Sequence, residues 1–147
     1  MATLTRGRRW GSERGAELIE MAIVLPLLLL VVLGIIDFGF LFQRYVVLTN
    51  AAMEGARVGI LPGYTTTDAE ARAVSFAATG GVPGAVVALA TVQALPEPGG
   101  GTWPALQMTV THTYNYQYVG GIASLFGGSF TSVNLTAQAT MRRQLGS

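Results

Sequence analysis

Sixteen consecutive residues without a charge, Met21–Ile36, constrain this chain more than any other feature. As a helix they would span about 24 Å at ~1.5 Å per residue, short of a ~30 Å hydrocarbon core. Continuing through Asp37 to Phe42 supplies the missing length, with Asp37 near the far interface, where a carboxylate reaches water. Phe38, Phe40, Phe42 and Tyr45 cluster there, at the depth aromatic side chains favour. Burial of this helix in a soluble core is the competing possibility, and all-round apolarity over this length argues against it. Pro26 lies inside the run and predicts a kink or local loosening.

The flanks set an orientation. Residues 1–15 carry Arg6, Arg8, Arg9 and Arg14 against Glu13 alone, whereas the remaining chain has five arginines and seven acids. Arginines just before an apolar helix predict a cytoplasmic N-terminus and a translocated remainder. A basic arm that binds nucleic acid is disfavoured by the membrane helix beside it. A cleaved secretory signal would have a shorter apolar core and a small-residue site soon after it.

Only 12% of the 147 residues are charged, about half the usual share for a soluble domain. The chain has no cysteine and a single histidine, His112. A disulfide framework and thiolate metal sites are excluded, and no histidine pair exists for a metal or a triad. No nucleophile–base–orienter set is visible, so no catalytic, cofactor or metal residue is assigned.

The helix is expected to continue past the membrane to Leu61-Pro62-Gly63. Ala51, Gly55 and Gly59 recur every four residues on one face, with Ala52 and Ala56 beside them, so another backbone or a sheet can approach closely. Glu54 and Arg57 are spaced as a solvated i,i+3 pair. Thr67 and Glu70 fit a capping box, predicting a short helix from Asp68 to Thr79 that ends at Gly80-Gly81. Ala85–Leu95 suits a strand, and Pro96–Gly101 a loop. In Leu106–Val119 the residues Leu106, Met108, Val110, Tyr114, Tyr116 and Tyr118 alternate with polar ones, a strong strand pattern. His112 falls on their register and is expected to be packed rather than ligating. Gly120–Gly128 reads as a turn around Ile122, Leu125 and Phe126, a patch fit to close the core, touch the membrane or meet a partner, with the core favoured. Thr131–Met141 gives a third strand with Val133, Leu135, Ala137, Ala139 and Met141 inward. Asn134-Leu135-Thr136 matches a glycosylation sequon but reads as strand sequence. The tyrosine series lacks a basic groove, and no nucleic-acid partner is expected.

The resulting class is α+β. Residues 1–15 form a basic leader. Residues 16–61 form a helix of roughly 65–70 Å, its membrane part about 21–43. Residues 62–147 form a small extracytoplasmic domain with a short helix and about three antiparallel strands, the sheet burying one face on the small-residue face of the long helix.

Gly15, four further residues and Glu20, after a basic leader and before an apolar helix, resemble the type IV prepilin cleavage pattern. RGAELIEMAIVLPLLLLVVLGIIDFGFLF followed by LTNAAMEGARVG resembles the TadE-like pseudopilins of tight-adherence (Flp) pilus systems over about residues 14–60. The resemblance implies a pilin-like fold and cleavage between Gly15 and Ala16 by a prepilin peptidase. It also implies a minor component of pilus assembly in the bacterial inner membrane, used in adhesion and biofilm formation. Its partners would be other pilins and pseudopilins, the inner-membrane platform with its ATPase, and membrane lipid. Glu20 becomes the fifth mature residue and an assembly residue. Met21 stands where Flp pilins usually have tyrosine, and major Flp pilins are much shorter than this chain; both differences favour a minor pseudopilin. One sequence does not separate TadE from its close sister TadF, and the von Willebrand-like domain of TadG-type relatives has no room here. An uncut single-span anchor presenting a binding domain, and a pseudopilin of a type II secretion system, are the alternatives.

Overall fold

A computed structural model describes residues 10–125, 127–128 and 131–143. The elements run α1 (Trp10–Gly59), α2 (Thr66–Thr79), β1 (Val86–Pro96), β2 (Thr102–Asn115), α3 (Val119–Leu125) and β3 (Ser132–Arg142). The class is α+β, with a long N-terminal apolar helix, a short helix and one antiparallel sheet.

Helix α1 has 50 residues, about 75 Å at ~1.5 Å per residue. It is longer than expected at its start, because the helix continues back through Gly15 to Trp10. Arg6, Arg8 and Arg9 of the leader lie outside the described residues. Pro26 sits within an unbroken α-helix. The helix closes where Leu61 N–H bonds the Val58 carbonyl at 3.1 Å. Gly63 follows with φ +85°, a backbone state that glycine enters without a Cβ penalty.

Helix α2 starts two residues earlier than the Thr67/Glu70 reading placed it. The cap is Thr65, whose hydroxyl oxygen accepts Asp68 N–H at 3.3 Å, while Asp68 Oδ2 accepts Thr65 N–H at 2.9 Å. Asp68 thus takes the role assigned to Glu70. A shorter acid serves because Thr65 is three residues before it, the same spacing in a different frame. Gly80 N–H then bonds the Phe76 carbonyl at 2.9 Å, and Gly81 with φ +84° turns the chain out of the helix.

The sheet order is β1-β2-β3, both pairs antiparallel. Val110 opposes Val87 on one side and Ala137 on the other, and Met108 opposes Ala90 and Ala139. These residues share one face through the period-2 alternation. Leu106, Met108, Val110 and Tyr114 are buried together with Leu135 and Ala137. Val133, Ala139 and Met141 are half-buried against them. Asn134 lies within β3, where its Oδ1 accepts the Thr113 hydroxyl at 2.8 Å.

Two sequence expectations fail in the second half. β2 ends at Asn115 rather than Val119, leaving Tyr118 exposed. The glycine-rich segment is not a turn throughout, since Val119–Leu125 forms α3. Ile122 is half-buried, and Phe126 lies outside the described residues. Tyr116 N–H still bonds the Thr131 carbonyl at 3.2 Å, and from Gln117 to Val119 the backbone N–H groups turn away from the sheet to a carboxylate on α1.

Candidate functional site

The long helix has two halves of different character. From Gly15 through Ile36 its large apolar residues are exposed on every side: Leu18, Ile23, Leu27 and Ile35 each show more than half their surface. The most apolar stretch has none of its residues buried in the protein. By length and composition this half is able to cross a membrane. Gly15 is half-exposed, and a Cβ there would meet nothing within 4 Å. Ala16, Glu17 and Glu20 are exposed on the same helical surface. Residues 16 and 20 lie one turn apart, so an ammonium at Ala16 and the Glu20 carboxylate would share a face.

The second half is buried along one stripe. Asp37, Leu48, Ala51, Ala52, Gly55 and Ala56 are buried, with Leu41, Arg44 and Gly59 half-buried between them. Gly55 faces α2 and the sheet together: a Cβ added there would lie 2.8 Å from Ala73 Cβ, 2.9 Å from the Ala69 carbonyl oxygen and 3.2 Å from Met108 Cε. At Gly59 an added Cβ would overlap Leu106 and Ala69. On α2 the facing residues Ala69, Ala73 and Ala77 are themselves fully buried. The small-residue face therefore receives both another helix, α2, and the sheet. Glu54 does not pair with Arg57. Its Oε1 accepts Arg72 Nη2 of α2 at 2.8 Å, because the tight α1–α2 approach brings Arg72 within reach.

The residue that sequence reasoning misplaced is Asp37. It is 1% exposed rather than in water. Oδ2 accepts Val119 N–H at 2.7 Å and Tyr118 N–H at 3.0 Å, and Oδ1 accepts Gln117 N–H at 3.2 Å. The Tyr114 hydroxyl stands 3.4 Å from the Asp37 carbonyl oxygen and 3.5 Å from Oδ1, the long limit of a hydrogen bond. Burial, and then the neighbouring carboxylate, push the Tyr114 phenol above its ordinary pKa. Arg44, two turns above Asp37, lies 5.5 Å over the Tyr114 ring, and Tyr116 meets that ring edge-on at 5.5 Å. Three backbone donors on one carboxylate form a charge-assisted clamp between α1 and the entry to α3. Only the position of an acid at the end of an apolar run hinted at it.

His112 is half-buried on the rim of the sheet. Among the described residues no group of three His, Cys, Asp or Glu could hold a metal ion.

A family model described as TadE-like protein matches residues 15–57. The matched span begins at Gly15 and takes in the apolar run, Asp37 and the small-residue stripe as far as Ala56. Over that span, less than a third of the chain, the sequence is similar to TadE-like proteins, and the matched helix is able to cross a membrane by length and composition. No curated protein matches the chain. No solved structure matches it either.

Proposed function

We propose that the chain, TadE-like over residues 15–57, works as a minor pseudopilin of a Tad-type pilus, a structural and assembly component rather than an enzyme. The observation that carries this reading is the family match to a helix whose first half is apolar and exposed and whose second half bears a folded domain. The helix is held in the bacterial inner membrane with its N-terminus cytoplasmic and the domain outside. A prepilin peptidase cuts between Gly15 and Ala16, and the mature subunit joins other pilins and pseudopilins at an inner-membrane platform.

Gly15 suits such a cut physically. The Gly15–Ala16 bond lies inside α1, so a peptidase must unwind a turn to reach it. Glycine costs about 1 kcal/mol relative to alanine in a helix interior and makes that unwinding cheaper. The continuity of the helix across this bond favours a second reading, an uncut single-span anchor.

Co-expression with the cognate prepilin peptidase separates the two. Intact mass and N-terminal sequencing should give a mature chain beginning at Ala16, and a bulky substitution, Gly15→Leu, should leave the leader attached. Retention of Met1 or Ala2 in cells that assemble pili would overturn the pseudopilin reading in favour of the anchor.

A further inference from the structure

The Asp37 clamp has a chemical setting that the pilus reading does not use. Asp37 is the only charged residue between Glu20 and Arg44. Residues 98–141 contain no Asp, Glu, Lys or Arg at all, so the segment the clamp holds, from Gln117 through α3, is uncharged throughout. The single charge at this level of the helix is hidden from solvent under three backbone N–H groups.

What remains exposed around the clamp is uncharged: Phe38 and Tyr118, with Asn115, Gln117 and Ser124 beside them. Phe38 shows 64% of its surface and Tyr118 shows 43%. Beside Phe38 is an apolar cleft lined by Gly34, Asp37, Phe38, Tyr116 and Val119, with a volume of about 260 Å³. Val119 Cγ2 would lie 3.8 Å from a Cβ on Gly34, so α3 rests directly on the top of the bare helix. Below Gly34 the exposed apolar surface of α1 continues through Ile23 to Met21, where the exposed Glu20 ends it. Residues 21–36 span about 24 Å as a helix, most of a ~30 Å hydrocarbon core, so the cleft lies close to its upper boundary.

We infer that α3 and the cleft beneath it are the domain's lipid-contact surface. The cleft between Phe38 and Val119 takes the upper part of a bilayer acyl chain, and Tyr118 and α3 lie in the head-group layer. The domain is thereby seated on the membrane instead of standing clear of it. Continuity with the membrane half of α1 selects lipid as the occupant. Tyrosine and phenylalanine favour this depth. A carboxylate is tolerated so near hydrocarbon because its acceptor capacity is filled by the protein. The inference rests on the single-pass placement of α1 and is independent of cleavage and piliation.

The absence of native cysteine makes site-directed spin labelling direct. Single cysteines at Ile35, Tyr118, Gly121 and Thr136 are introduced separately into the full chain, labelled with a nitroxide and reconstituted in phosphatidylcholine–phosphatidylglycerol vesicles. Collision with oxygen, enriched in hydrocarbon, is compared with collision with a water-soluble nickel chelate. Ile35 should report hydrocarbon, Thr136 water, and Tyr118 and Gly121 an intermediate depth with the chelate at least threefold less accessible than at Thr136. Chelate accessibility at 118 and 121 equal to that at Thr136 would overturn the seat and leave the domain in water. Shielding of both from oxygen and chelate alike would overturn it too, because a second copy or another protein then covers α3. An Ile35 label in water would instead overturn the membrane placement beneath the inference. Tyr118 and Gly121 are separate variants, so either one reads the depth if the other fails to fold.

Discussion

Asp37 and Val119, 82 residues apart in sequence, are joined by a 2.7 Å hydrogen bond from the Val119 backbone N–H to the Asp37 carboxylate. The bond fixes the entry to α3 at one height on the long helix. Gln117 and Tyr118 donate to the same carboxylate, so the clamp is a property of three consecutive backbone groups and one side chain.

Removal of that side chain should therefore loosen the domain from the helix. Asp37→Ala removes the acceptor of three part-buried backbone donors, at ~1–3 kcal/mol for each one left unsatisfied, less whatever water recovers. Thermal melting of the full chain in detergent, followed by circular dichroism, should show a clear fall in Tm. Asp37→Asn keeps one acceptor oxygen but turns an amide N–H₂ toward backbone donors, and should fall between Asp37→Ala and the parent. An Asp37→Ala protein that melts with the parent would show that the clamp contributes nothing to stability.

Gly55 offers a test of close packing. A Cβ there would stand 2.8 Å from Ala73 Cβ and 2.9 Å from a backbone oxygen, too close for either to remain in place. Gly55→Leu should destabilise the domain by ~1–3 kcal/mol or more through overpacking. In the smaller pair, Gly55→Ala should be partly relieved by Ala73→Gly, a non-additivity measurable in a double-mutant cycle. Strict additivity of the two changes would mean that the helices separate freely and that the face serves a different contact.

These relationships were unequally legible in the sequence. The inward set Leu106, Met108, Val110, Tyr114, Leu135 and Ala137 followed from alternation, because a half-buried strand must separate its faces every second residue. The membrane half of α1 followed from composition. The α2 cap was misread because Thr65, Thr66 and Thr67 are chemically equivalent, and Asp68 and Glu70 are both acids, so two frames satisfy the same spacing. Arg72 as the partner of Glu54 was hidden because a local i,i+3 arginine competes on paper with one 18 residues away. Asp37 was hidden most deeply: its partners are main-chain N–H groups, which have no signature in side-chain chemistry. Helix α3 was obscured by the glycines at both of its ends.

The α2 cap should be visible in acid. The Thr65 hydroxyl first, and then the Thr65 N–H, hold the Asp68 carboxyl below its ordinary pKa of 3.8. A carboxylate with a depressed folded pKa stabilises fully above its unfolded value, and that contribution fades as pH falls through the folded one. The Tm difference between the parent and Asp68→Ala should thus be constant near neutral pH and shrink from about pH 4 downward. Use of the difference cancels the other carboxylates. A gap that stays constant down to pH 2.5 would mean that Asp68 acts without its charge.

Glu20 has a proposed role only after cleavage, when the Ala16 ammonium is exposed. In a bundle of membrane helices either charge alone is expensive, and pairing Glu20 of one subunit with the ammonium of its neighbour offsets both. An uncompensated buried charge costs about 3–5 kcal/mol, enough to reject a subunit without unfolding it. Glu20→Ala should insert and be cut yet fail to support piliation, with Glu17→Ala milder. Normal pili in cells carrying processed Glu20→Ala protein would sink the pairing.

The unbroken course of α1 from membrane to domain has a mechanical consequence. With no joint between the two halves, thrust along the helix axis acts on the whole subunit as on a piston. Under the proposed pilus reading, a platform that lifted the foot of the rod would lift the sheet and α2 with it. Extraction under that reading would be a single stroke, with the height at which a subunit stops decided by whatever grips its foot.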